Sequence, residues 1–217
     1  MKLILLFFLL LPVQFFAQTI TFVPLFNGEK VNLSTKIGQL DNWIEFDDFR
    51  FYISHLSIYS SSKVWKDDVK AHLIDLESTE SLTITIPSAK IDSISFNIGI
   101  DSLTNASGIL DGDLDPINGM YWAWNSGYIN FKLQGKSSLS TNIDQSFEFH
   151  LGGYLSPFNT IQSVCFPIKN HEQNIEIEIE LNQFIQQTEL WKVNSIMIPG
   201  KEAVRLSETL PTIFTIK

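Results

Sequence analysis

NIEIEIEL, residues 174–181, sets Ile175, Ile177, Ile179 and Leu181 against Glu176, Glu178 and Glu180. A period of two with strict apolar–charged alternation is the signature of a strand with one buried and one wet face. The same phase recurs in both directions. SLTITIP carries it on Leu82, Ile84 and Ile86, and SISFNIGI on Ile94, Phe96, Ile98 and Ile100. YINFKLQG carries it on Ile129, Phe131 and Leu133, and SFEFHLGG on Phe147, Phe149 and Leu151. FRFYISHLSIYS and VKAHLIDLES are further strands with less regular phase. TITFVPLF opens the domain and reads as an edge strand, because Pro24 lacks a backbone donor. Only LNQFIQQTELW (181–191) and GKEAVRLSETL (200–210) carry short helical patterns. Many short strands between turns predict an all-β fold: a single, mostly antiparallel β-sandwich, immunoglobulin-like in broad architecture, with few or no helices.

The 217-residue chain begins MKLILLFFLLLPVQFFAQT. Lys2 followed by an apolar run and then Ala17-Gln18 reads as an export signal over 1–17, too short for a good membrane span. The domain is expected over 19–217, with no further transmembrane candidate and a periplasmic or cell-surface location. Removing the signal takes away one of 15 basic residues, so the formal charge moves from −9 to −10. That balance argues against nucleic acid and anionic membranes as partners. Cys165 is alone in the sequence and has no internal disulfide partner. Its apolar setting, IQSVCFPI, predicts a small buried hydrophobe.

The longest irregular stretch, 101–121, runs into LDPINGMYWAWNSGYINFKLQG (114–135), where Trp122 and Trp124 stand one residue apart. On a strand they point to opposite faces. Packing at a sheet end explains them; so does a site they line. With Tyr121, Tyr128 and Tyr154 they also suggest an aromatic platform for a carbohydrate- or protein-binding module without metal. DGDLDPING brings Asp111, Asp113 and Asp115 together, but Pro116 and Trp122 stand where an EF-hand needs Gly and Glu, so an acidic turn is the simpler reading. His55, His72, His150 and His171 form no local zinc or copper motif. His150, in FEFHLGGY, lies off the Phe147–Leu151 core face just before a Gly-Gly. It lines a cleft or serves as a hydrogen-bonded structural histidine. His171, in KNHEQN, reads as a solvated loop residue. No G-x-S-x-G, H-E-x-x-H or phosphate loop occurs, and the chain is not expected to be an enzyme.

The block GMYWAWNSGYINFKLQG followed by FEFHLGGY resembles the copper-binding MbnP-like family of exported proteins, often linked with methanobactin operons. FRFYISHLSIY, HLIDLE, SISFNIGID and the tail SIMIPGKEAVRLSETLPTIFTI extend the likeness along most of the chain. The resemblance implies an exported copper-binding protein. In some members the site combines histidine with a kynurenine made from tryptophan, and a diheme cytochrome of the peroxidase type is associated with that oxidation. Carried over by position, Trp122 or Trp124 is the modifiable residue and His150 a metal ligand. A histidine two residues after the modified tryptophan is missing here: Trp124 or Ser126 stands in its place. Either His55 or His72 then replaces it in space, or this member keeps the fold without the copper site; Met120 offers a thioether to Cu(I). The sharpest expectation is that YINFKLQG and SFEFHLGG form a hairpin that brings His150 to the double tryptophan.

Overall fold

The computed structural model describes residues 17–61, 63–125, 127–169 and 173–217. The expected signal, up to residue 16, and His171 lie outside the described residues. In chain order the strands are β1 (Gln18–Phe26), β2 (Glu29–Lys30), β3 (Lys36–Gln39), β4 (Asn42–Ser60), β5 (Lys63–Lys66), β6 (Ala71–Asp75), β7 (Thr83–Ile86) and β8 (Ser93–Ile98). They continue with β9 (Tyr121–Trp122), β10 (Gly127–Ser137), β11 (Ser146–Gly152), β12 (Gln162–Pro167), β13 (Asn174–Glu180), β14 (Ser195–Ile196) and β15 (Phe214–Ile216). The helices are α1 (Ser102–Ala106), α2 (Leu181–Thr188), α3 (Lys201–Ser207) and α4 (Leu210–Ile213).

The smaller sheet has the order β15-β13-β1-β2, with β7 also on β1. The Ile/Glu strand β13 pairs with β1 in parallel, Ile20 beside Ile175 and Phe22 beside Ile177. The larger sheet runs β12-β8-β4-β10-β11-β14, and β3, β5 and β6 pair with the long strand β4. Strand β4 shifts register against β8 between Ser54 and Ser57 and against β10 at Gln134/Gly135. Such bulges bend a strand and raise its twist, and this sheet curls into a half-barrel. The expectation of a mostly β fold therefore holds, whereas the immunoglobulin-like sandwich does not. Both sheets are mixed, since β1–β13 and β11–β14 are parallel pairs.

Helices are also more prominent than expected. The alternation of β13 stops at Leu181. From there Leu181, Phe184, Ile185 and Thr188 are buried at helical spacing. Glu180 caps the new helix, its carboxylate accepting from Asn182 N, and also accepts from Asn27 N and Gly28 N. Strand β1 is central rather than an edge. Pro24 is tolerated because its carbonyl accepts from Val31 N, so its ring nitrogen points to that same side. There β7 stops pairing at Thr21 and β2 starts at Leu25, leaving no ladder donor to lose.

One apolar core joins the sheets. Phe22 of β1, Phe51 of β4, Phe131 of β10, Phe149 of β11, Ile177 of β13 and Phe184 of α2 all belong to it. A second, smaller core lies on the other face of the large sheet, beneath residues 100–122. It contains Tyr52, Leu73, Leu114, Met120, Trp122 and Tyr128. Cys165 corrects the sequence reading. It is exposed, because β12 is an edge strand whose inward position is taken by Val164.

Candidate functional site

The hairpin of β10 and β11 forms as expected, with Lys132 opposite His150, Leu133 opposite Phe149 and Ile129 opposite Gly152. Lys132 also stands opposite Arg50 of β4, which stands opposite Asp75 of β6. Directly opposed residues share a sheet face. Asp75, Arg50, Lys132 and His150 therefore form one row across the face that bears the smaller core. Lys132 Nζ lies 2.7 Å from Asp48 Oδ2. Arg50 Nε lies 3.0 Å from Asp75 and 3.2 Å from Asp48, though not aligned for a hydrogen bond, and Arg50 Nη2 donates to Glu77 at 2.9 Å. Burial disfavours the Arg50 charge, but these carboxylates outweigh it and raise its pKa. Arg50 Nη1 donates to the carbonyl of Asn118 and so ties the loop before the tryptophans to the row.

His150 closes the row. It is 7 % exposed, and its Nε2 has no hydrogen-bond partner among the described residues. Burial, reinforced by the Lys132 ammonium and partly opposed by Asp48, lowers its pKa to about 4. The imidazole is thus neutral at neutral pH. Two residues further along the same face is Gly152. A Cβ there would lie 2.6 Å from Trp122 Cζ3 and 2.8 Å from its Cη2, so the indole rests on the bare backbone that glycine provides. Trp122, held by the β9–β10 pairing with Gly127, thus lies against β11 two residues beyond His150.

The tryptophans do not point to opposite faces. β9 ends at Trp122, and a turn with Asn125 N bonded to Trp122 O follows. It brings the Trp124 ring to 5.7 Å from that of Trp122, tilted by 43°. Trp122 is 5 % exposed and Trp124 63 %. One indole is core and the other faces solvent. The remaining expected donors are elsewhere. Met120 is fully buried in the smaller core. His72 pairs with Ile53, on the main-core face opposite to His150, and bonds Asp67 Oδ2 at 2.6 Å. His55 sits in the β4 bulge with φ +54° and bonds Asp101 at 3.2 Å. Asp101 is itself the N-cap of α1. Burial works against its charge, yet bonds from Thr104, His55 and Leu103 hold its carboxyl at about 2. Neither histidine supplies a second imidazole beside His150.

The acidic loop ties down backbone donors. Asp113 accepts from Leu73 N, and Asp115 accepts from Ile117 N. Among the described residues no group of three or more His, Cys, Asp or Glu side chains is placed to hold a metal ion. The aromatic platform is also dismantled: Tyr128 is buried with its hydroxyl donating to Leu114 O, Tyr121 packs on it at 5.0 Å, and Tyr154 lies against Gly127. Sequence reasoning missed Arg50, Asp48 and Lys132. Their signal was alternation: Asp48 and Arg50 against Phe49 and Phe51 in DFRF, and Lys132 between Phe131 and Leu133 in YINFKLQG.

Two mixed sheets around one core, with the outer face of the larger sheet capped over a buried imidazole and an indole, define a mostly β protein with a covered, partly polar outer face. The MbnP family model matches residues 16–198, and the chain belongs to the MbnP family. A solved structure, MbnP from Methylosinus trichosporium, has the same fold, with a TM-score of 0.64 at 11 % identity, over 94 % of this chain and 99 % of that one. No curated protein matches the chain.

Proposed function

We propose that this is an exported, non-enzymatic copper-binding protein whose metal site is built around His150 and the Trp122/Trp124 pair. The observation that carries the reading is the buried, neutral imidazole of His150, with Nε2 unpartnered among the described residues, two residues along β11 from the glycine on which Trp122 rests. A buried polar nitrogen without a partner is unusual and needs a reason, and a neutral imidazole nitrogen is a copper ligand. One imidazole is a poor site by itself. An intact indole adds nothing, because its nitrogen is a donor only. Copper, the cargo in this reading, therefore requires a modified tryptophan as well. Kynurenine supplies the missing donors: the indole C2–C3 bond breaks as one oxygen is delivered to each carbon, two hydrogen peroxide molecules being reduced to water, and water then hydrolyses the resulting N-formyl group, which leaves as formic acid. Trp124 is the indole an external oxidant meets first, and Trp122 stacks behind it. A diheme cytochrome of the peroxidase type is the proposed oxidising partner, acting in the periplasm or at the cell surface.

The test uses protein purified from its native host. Intact-mass and peptide analysis should find one of the two residues heavier by about 4 Da, the signature of a covalent change. Equilibrium dialysis should then show a copper site that His150→Ala weakens at least tenfold while the thermal unfolding midpoint stays within a few degrees. Tight copper binding that survives the substitution would place the metal elsewhere. Five intact tryptophans together with no tight copper binding would remove the reading altogether.

A further inference from the structure

A cleft of about 300 Å³ opens at the far end of the larger sheet, where the β3–β4 hairpin, the β10–β11 connection and α2 meet. Strand β10 runs from Gly127, beside Trp122, to Ser137, in this cleft. At ~3.3 Å per residue that is about 33 Å along the strand, so the cleft is separate from the His150 region. Two of the five tryptophans line it, Trp43 from β4 and Trp191 from the segment after α2. Four amide side chains line it as well: Asn27, Asn42, Asn182 and Gln186. Ile185 and Leu190 add apolar surface, and among the described residues no charged one lines it.

We infer that this cleft binds a neutral, polyhydroxylated ligand: one or two sugar rings at the end of a glycan. A sugar ring offers an apolar C–H face and a rim of hydroxyls. Indole faces take the first. Amides, which both donate and accept, take pairs of the second. The absence of charge from the lining disfavours phosphorylated, sulfated and uronic acid ligands. Lys36, Lys136 and Lys192 adjoin lining residues in sequence but do not line the cleft, and Lys36 Nζ stands 3.6 Å over the Trp43 ring. The volume lies at the small end of the range for ligand sites and suits a short sugar rather than a large cofactor.

The walls are fixed in advance. Trp43 N donates to Ser138 Oγ, and Trp43 O accepts from Ser138 N and Ser137 Oγ. Gln186 Nε2 donates to Asn182 Oδ1 at 3.4 Å, which orients both amides on α2. A preorganised wall reduces the entropy lost on binding. A proline-rich peptide would also use indoles, but it offers carbonyl acceptors with few N–H donors and leaves the amide oxygens unmet, whereas hydroxyls both donate and accept, so the lining favours the sugar.

The experiment is a printed array of neutral and acidic glycans with proline-rich peptides alongside, followed by calorimetry on the best-bound probe. Wild type should bind a subset of neutral glycans. Trp191→Ala removes a half-exposed side chain and leaves the fold intact by thermal melt; it should weaken that binding at least tenfold, as should Asn182→Ala. His150→Ala should leave it unchanged, which separates this site from the copper reading. Binding to no neutral glycan, preference for acidic glycans or for the peptides, or full binding by both cleft variants would overturn the inference.

Discussion

Protonating His150 would bury a charge where little water reaches and set it beside the Lys132 ammonium, only partly offset by Asp48. That is why its pKa falls from the ordinary histidine value to about 4. The consequence for stability has a definite sign. Above about pH 6.5 the imidazole is neutral in both folded and unfolded chains, and its contribution is complete. As the pH falls from there through 4, the unfolded chain takes up a proton that the folded protein refuses, so stability is lost. Each pH step of one between the two values removes about 1.4 kcal/mol, which brings the loss by pH 4 to about 3 kcal/mol. Carboxylates contribute to acid unfolding too, so the comparison is with His150→Gln. Urea denaturation of the copper-free proteins at pH 7 and pH 4 should show wild type losing about 3 kcal/mol more than the variant. Equal losses would mean that the imidazole is protonated without hindrance in the fold.

Helix α1 shows how a short element can position a site. Asp101 caps it through bonds from Leu103 N and Thr104 N, and Ser102 Oγ donates to the Tyr154 carbonyl. Its buried Asn105 reaches in two directions. Nδ2 donates to the carbonyls of Ile100 and Asp101, and Oδ1 accepts from Tyr128 N at the start of β10. The helix therefore anchors the strand whose first residue pairs with Trp122. Asn105→Ala leaves the Tyr128 N–H and the Ile100 carbonyl without these partners. Each such group costs about 1–3 kcal/mol if it stays buried and unpaired. Stability should fall by about 2–4 kcal/mol, and amide exchange should quicken first at residues 127–130. Uniformly faster exchange over the whole chain, with no local excess, would show that α1 does not specifically hold this strand.

At the scale of the molecule, the cluster of phenylalanines and isoleucines draws side chains from both sheets and from α2, α3 and α4. Neither sheet has an apolar face that it buries alone. Unfolding in guanidinium should accordingly be one transition, with far-ultraviolet circular dichroism and tryptophan fluorescence tracing the same midpoint. Non-coincident midpoints would mean that the sheets unfold separately. The smaller core under residues 100–122 is a different matter: it is covered by loop and short helix, and it is where an opening motion would first expose Trp122.

Periodicity is a property of the local chain, so it could be read directly. β13, β10, β11 and the strand character of the whole are written in alternating side chains, and the β10–β11 hairpin follows from two such segments around a polar turn. The family is legible in the GMYWAWNSGYINFKLQG and FEFHLGGY blocks because those residues build one local unit, the Trp122–Gly127 pairing and the Gly152 seat. Other features depend on what lies across the sheet. Parallel pairing of β1 with β13 is invisible in either strand alone, and it is what makes Pro24 acceptable in a central strand. Cys165 is exposed because Val164 faces inward on an edge. The two indoles share a side because the strand stops at Trp122. His72 lies on the opposite face of the sheet from His150 and three strands away, a matter of register and strand order. His150 itself became a neutral, unpartnered imidazole only when Lys132 was set opposite it and the water around it was removed. A sequence specifies which side chains alternate; the charge and partners of each are set by neighbours that the chain brings together only on folding.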